Sequence, residues 1–240
     1  GTVSIYTKSA ERAKGGSFTQ MIGNDGYSKS TIAYNTGLND NGWSTSLLLS
    51  KWSGNGYIYN TKGAGTTYFA AVGYAPSGSD HKLNLSVLGA GQWHHQRDVW
   101  VSIRDYQNFG DSGIDRRWNS NGGKRDGKEY SMRRNFYNKP LATFNWDWEV
   151  NERIEVNTSL YASAGRGGGT GPRGQGWRGD TTDILPFRKD LTAHYLENGK
   201  GARDADGFIN FDAVVAANSN STQGYSGDIG RGGYAGKKIG

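Results

Sequence analysis

Cysteine is missing from this 240-residue chain, and proline and methionine are scarce, at four and two residues. Without thiols there is neither a disulfide framework nor a thiolate metal site. Long hydrophobic runs are missing as well. No apolar stretch approaches the ~18 residues that a membrane-crossing helix needs, so any passage through a bilayer falls to strands. The opening GTVSIYTK has no initiating Met, basic region or apolar leader core, and the expectation is a mature or internal piece. Hydrophobic residues make up only 34% of the chain and mean hydropathy is −0.75, so the apolar positions must be concentrated to cover any sizeable surface.

What is plentiful is glycine, with 38 residues, about twice the usual ~7% share. The formal charge of +6 is uneven: residues 91–140 carry a net +4 and residues 141–164 a net −3. A basic region of this kind suits anionic partners such as phosphorylated lipid headgroups or nucleic acid.

The segment TFNWDWEV (143–150) alternates with period two, the period of a strand. Phe144, Trp146, Trp148 and Val150 fall on one side; Thr143, Asn145, Asp147 and Glu149 fall on the other. In a water-soluble sheet the bulky side would cover a core. In an outer-membrane barrel it would meet lipid, and the polar side would line a wet interior.

Comparable alternation predicts strands over 16–23, 28–37, 43–53, 67–75, 82–90, 139–150 and 153–164. LNDNG, PSGSD and NE are short connections, whereas 91–138 is long, polar and aromatic without sustained period. Residues 165–240 are Gly-rich, charged and mostly irregular, with at most a short helix around FDAVVAAN. Structureless loops of this size are unusual in a compact soluble domain. Short turns at one end and long loops at the other are the habit of outer-membrane barrels. The expected fold class is therefore all-β: an antiparallel transmembrane β-barrel with long extracellular loops. Barrels of bacterial outer membranes close with an even strand number, so seven strands imply an arc of a larger barrel.

Three stretches carry a family resemblance. GTVSIYTKSAERAKGGSF (1–18) resembles the end of a plug domain running into a first barrel strand. YFAAVGYAPSGSDHKLNLSVLGAGQWHHQ (68–96) resembles the fourth and fifth strands with their rim. RRNFYNKPLATFNWDWEVNERIEVNTSLYASAGRGGGTG (133–171) resembles the next hairpin and the opening of a large loop. Together they resemble TonB-dependent outer-membrane receptors of the Bacteroidetes type. The resemblance implies a plugged barrel of about 22 strands that imports a scarce nutrient with energy relayed by the TonB system. It implies residence in the bacterial outer membrane, no enzymatic activity, no cofactor, and a surface lipoprotein as a further partner. Residues 1–14 would be the plug end and linker, 15–164 the first seven strands with the loop at 91–138, and 165–240 a large extracellular loop. Two other readings stay open: a non-transporting outer-membrane scaffold for a surface complex, and a soluble carbohydrate-binding β-sandwich.

Candidate chemistry is sparse. GRGGGTG (165–171) matches neither a dinucleotide fingerprint nor a P-loop, and reads as a flexible loop base. In DADGFINFD (204–212), taking Gly207 as a sharp-turn glycine puts Asp204 and Asp206 at calcium-ligand positions. Ala202 and Ala213 then fill the two end positions, so an Asp/Gly turn is the competing reading. His94 and His95 are adjacent and point apart on a strand, and His81 and His194 are distant, so no metal centre is expected. Asp147 and Glu149 lie ~7 Å apart on one strand face, a spacing a glycosidase pair uses and a hydrated lumen wall also explains. The Arg/Gly-rich GRGGGTGPRGQGWRGD with Trp177, and GRGGYAGKK with Tyr234, suit RNA stacking, but the strands upstream argue against a nucleic-acid partner.

The aromatics Phe144, Trp146 and Trp148 suit a lipid-facing girdle, where an amphipathic ring meets both acyl chains and headgroups. In the loop, QWHHQRDVW and RRW mix rings with cations. There Trp93, His95, Arg97, Trp100, Arg117 and Trp118 are the candidate contacts for a small ligand, by stacking on sugars or holding anions.

Overall fold

A computed structural model describes residues 9, 10, 12–97, 103–108, 115–170, 204, 206–212 and 215. In chain order the elements are β1 (Gly15–Ile22), β2 (Ser28–Asn35), β3 (Trp43–Gly54), β4 (Gly63–Tyr74), β5 (His81–His95), α1 (Ile103–Asn108), β6 (Gly122–Arg125) and β7 (Lys128–Ser131). These are followed by β8 (Arg134–Asn138), β9 (Leu141–Asn151), β10 (Ile154–Ser163), β11 (Arg166–Gly169) and β12 (Ile209–Asn210). They fall into two compact units. The first holds residues 1–54, 63–93 and 136–168, and the second holds 55–62, 94–135 and 169–240.

The chain is all-β in plan, with one antiparallel sheet of nine segments. Strands β1 to β5 follow one another as a meander. The first part of β5, His81–Leu88, pairs with β9, and β8 lies beside the remainder of β5. β10 pairs with β9, and β11 pairs with β8. Only Lys139 and Pro140 separate β8 from β9, and only Ala164 and Gly165 separate β10 from β11, so the nine segments trace seven strand paths. Pro140 has no N–H to give to a ladder, and the break falls there. Its carbonyl instead accepts the Ser163 hydroxyl at 2.9 Å and the Ala164 N–H at 3.4 Å. Among the described residues the sheet does not close on itself.

Turn chemistry fixes the register. Between β1 and β2, Asp25 and Gly26 take φ of 56° and 68°, the left-handed pair that a tight hairpin requires. After β2, the Asn39 side chain accepts the N–H groups of Asn41 and Trp43, turning the chain into β3. Gly42, with φ of 79°, packs so closely that a Cβ there would lie 2.4 Å from Pro76 Cα.

Residues directly opposite in an antiparallel ladder share a face. One face therefore carries the row Phe18, Ile32, Leu49, Tyr68 and the row Tyr34, Leu47, Ala70. Further along the same face are Leu85, Phe144, Leu160 and Leu83, Trp146, Thr158. The other face carries Thr31, Ser50, Thr67, then Ser46 with Ala71, Ser44 with Gly73, and Asn84, Asn145, Ser159.

Sequence and structure differ in the long segments. The 91–138 region contains the end of β5, the hairpin β6–β7 and β8, where only irregular chain was expected. Strands of four or five polar residues give too few alternations to read. The GRGGGTG stretch is likewise not a flexible base: its Arg166–Gly169 part is ordered as β11, and Phe136 covers Gly168 in place of a glycine side chain.

The second unit is organised by asparagines. Asn60 Nδ2 donates to the carbonyls of Gly123 (3.0 Å) and Tyr130 (3.3 Å), tying the 55–62 segment to the β6–β7 hairpin. Asn119 Nδ2 donates to Tyr59 O at 2.9 Å, and Asn121 Nδ2 donates to Gln96 O at 3.2 Å. Trp118, Ile209 and Phe211 form its small apolar core. β12 adds to β6 in parallel, with Phe211 edge-on to Tyr130 and Phe208 edge-on to Tyr59.

Candidate functional site

In the first unit the two sides of the sheet differ in exposure. The aliphatic side is open: Leu47, Leu49 and Leu160 are 51%, 57% and 61% exposed, and Phe18, Ile32, Val72 and Leu85 are exposed with them. The buried residues are small and mostly polar: Ser9, Ser44, Ser46, Ser50, Asn84 and Ser86, with Ala71 among them. Because apolar surface is driven out of water at roughly 25 cal/mol per Å², an open apolar face of this extent marks a surface for a further neighbour, protein or lipid. The polar face is mixed rather than uniform, since Leu48, Phe69 and Leu88 alternate with the hydroxyls.

Aromatic rings collect on the outward face near the short turns. Trp43 and Tyr74, paired in register, have ring centroids 4.6 Å apart. Trp146 and Trp148 stack at 5.9 Å and 6°, and His81 lies 5.8 and 5.5 Å from their centroids. The Trp146 indole N–H donates to His81 Nδ1 at 3.2 Å. Phe144 belongs to the same face, two residues from Trp146. On that face Tyr68 also covers Gly89, where a Cβ would come within 2.3 Å of the phenol ring.

The polar face holds two constructed contacts. Ser9, ahead of β1, donates its hydroxyl to Asn84 Oδ1 at 3.0 Å and its backbone N–H to the same oxygen at 3.3 Å. Ser9 Oγ also lies 3.1 Å from Ser44 Oγ. Gly73 leaves room for this group, since a Cβ there would lie 2.5 Å from Ser9 Oγ. Near the short-turn end Lys82 Nζ meets Glu149 Oε1 at 2.8 Å, an exposed pair that solvent screens. The register sets Asp147 directly opposite Lys82, so the Asp147 and Glu149 carboxylates share their strand face with a lysine.

Of the candidate ligand contacts, Arg97, Arg117 and Trp118 come together around Tyr106 and Arg116. Trp93 is half-buried in the first unit. Trp100 lies outside the described residues. The other four belong to the second unit. Arg117 lies over the rings of Tyr57 (5.2 Å) and Tyr59 (4.9 Å), and its Nε–H donates to Tyr57 O at 2.7 Å. Arg97 lies over Tyr106, bonds its hydroxyl, and donates to Arg116 O at 3.2 Å. Trp118 is fully buried with Tyr106 edge-on to it, so its ring is core rather than an open stacking surface. His95 is buried too. Desolvation, with Lys62, Arg134 and His94 adding positive charge around it, pushes its imidazole down to about 4.

Asp204 and Asp206, the calcium candidates, lie in a turn. Asp204 Oδ1 accepts the Phe208 N–H at 2.8 Å, and Gly207 takes φ of 81°. Among the described residues no three His, Cys, Asp or Glu side chains are grouped to hold a metal ion. The sequence reading did not single out Ser9, Tyr57, Tyr59 or the structural asparagines, because their contacts join segments far apart in the chain. Lys51 was within reach, being the one charge on the leucine side of WSTSLLLSKWS.

In comparison with known proteins, no family model, no curated protein and no solved structure matches the chain.

Proposed function

We propose that this chain forms part of an outer-membrane β-barrel receptor of the TonB-dependent kind. Its loops capture a scarce nutrient, and the nutrient passes along a polar lumen once a plug rearranges. The carrying observation is the inverted sheet, with leucines exposed and serines buried. In a soluble sandwich a second layer would cover Leu47, Leu49 and Leu160; in a barrel wall those residues face acyl chains. The aromatic cluster around Trp146 and Trp148 supports the same reading, since such rings belong at the membrane–water boundary. The pinning of Ser9 on the polar face suits a segment arriving from a plug. In this reading the protein sits in the bacterial outer membrane with its loops at the cell surface. Outer-membrane lipid, the TonB system and a surface lipoprotein are its partners, and it has no catalytic role.

Fractionation of cells exporting the chain tests the membrane assignment. It should stay with outer membranes through an alkaline wash and leave only with detergent. Recovery as a soluble monomer without detergent would overturn it. Growth on a limiting nutrient, restored by the full-length gene, then separates an importer from a scaffold.

A further inference from the structure

The outward face of β1 to β5, β9 and β10 is almost free of charge. Its positions run Phe18, Gln20, Ile22; Ser28, Ser30, Ile32, Tyr34; Trp43 to Ser53 in alternate residues; then the corresponding rows of β4, β5, β9 and β10. Along these rows the single Lys, Arg, Asp or Glu is Lys51. The charges of the same ladders, Lys29, Lys82, Asp147, Glu149 and Glu155, all lie on the polar side.

Lys51 stands at a defined height. Along β3 it follows Leu47 and Leu49, eight residues from Trp43, or ~27 Å at ~3.4 Å per residue. A strand tilt of ~35–45° makes that ~20 Å of depth against an outward apolar band of ~25 Å, so the ammonium, extended on its stem, reaches the edge where hydrocarbon gives way to headgroups. The register places Ser30 and Thr66 on either side of it and Gln20 beyond Ser30. Gln20 is held by this row, accepting the Ser30 hydroxyl at 2.6 Å and donating to Ser28 Oγ at 3.1 Å. Lys51 is exposed, and among the described residues no carboxylate pairs with it. An unpaired cation among hydroxyl and amide groups, bordering an apolar band, is complementary to a phosphate carried on acyl chains.

We propose that Lys51, with Ser30 and Thr66, forms a binding site for the phosphate of a phosphorylated lipid, in the leaflet at the β3–β4 connection end of the sheet. The inference rests on the membrane reading above and adds a lipid class and a contact residue to it. The lipid's acyl chains would lie along Leu49 and Ile32, and its phosphate would accept from Nζ.

The test uses the full chain in phosphatidylcholine nanodiscs. These are titrated with a diphosphorylated glycolipid and with the same lipid after phosphatase treatment, and retained lipid is counted by native mass spectrometry. The wild type should retain the phosphorylated form preferentially. Lys51→Gln should lower that retention about fivefold, the effect of one lysine near an anionic lipid surface. Lys51→Arg should restore it, and Lys29→Gln on the opposite face should not change it. Equal retention by Lys51→Gln, or no preference for phosphate in the wild type, would overturn the site while leaving the membrane reading intact. A chain that does not enter the nanodisc at all overturns both.

Discussion

Ser9 and Asn84, 75 positions apart in sequence, share two hydrogen bonds to a single amide oxygen. The chain ahead of β1 is thereby fastened to the polar face of the sheet, over the floor that Gly73 and Ser44 provide. Removing the acceptor leaves buried donors unpaired, at about 1–3 kcal/mol. In Asn84→Ala, and in Gly73→Ala where the new methyl would collide with Ser9 Oγ, the fastening should open. Trypsin cutting after the exposed Arg12 or Lys14 reads the change, with an expected acceleration of about tenfold. Unchanged cutting in both variants would mean that Ser9 is held by something else.

Leu47 is central to the outward face, between the Trp43 and Lys51 rows. On the proposed membrane reading, Leu47→Arg should cost about 2–4 kcal/mol of bilayer stability, the depth-dependent cost at a midplane. Asn157→Arg, on the polar side of β10, should cost little. Urea titrations of vesicle-inserted protein compare the two. Equal losses would rule out a lipid-facing role for the leucine side.

His95 lies beyond the outward leucines of β5 and belongs to the second unit. Its folded value, about 4, is below the ordinary 6.5. Between those two values the unfolded chain takes up a proton that the folded chain refuses. Stability from the neutral ring is thus complete above about pH 6.5 and is lost as pH falls toward 4. Thermal melts across that window should show the decline, and His95→Gln should flatten it. A wild-type profile without slope would count against burial of the neutral ring.

Gly123 has the backbone of Ile209 against its hydrogen, and a Cβ would lie 1.9 Å from the Ile209 carbonyl oxygen. Gly123→Ala should therefore expel β12 and draw Phe211 off Tyr130, leaving the β6–β7 hairpin in place. The Asp126 N–H, bonded to the Asp212 carboxylate at 3.0 Å, is the reporter. Its hydrogen exchange should quicken by tenfold or more if that bond, worth about 1.5–3 kcal/mol with a charged acceptor, is lost. Unaltered exchange would show that β12 does not depend on this glycine.

The strands of the first unit were readable because period two persists through eight to twelve residues, as in Trp43–Gly54 and Leu141–Asn151. The faces are legible for the same reason: alternation alone parts Leu47 and Leu49 from Ser46 and Ser50. The extension of β5 to His95 was hidden, because Gly91, Gln92 and Trp93 carry no alternation. The second unit was opaque on physical grounds. Asn60, Asn119 and Asn121 act through bonds to carbonyls some 25 to 70 residues away, and sequence spacing is blind to such links. Trp118 drew attention as a ring beside arginines, but composition cannot say which side of a loop a ring takes.

The serines buried beside open leucines turn the customary map of mutational tolerance inside out. Enlarging Ser44, Ser46 or Ser86 would press a bulkier group against close-packed neighbours. Trading Leu47 or Leu49 for another aliphatic residue alters only which oily atom faces outward. Engineers seeking a position for a bulky reporter would do best on the leucine side, and those seeking to cripple the protein with one methyl group would choose a serine.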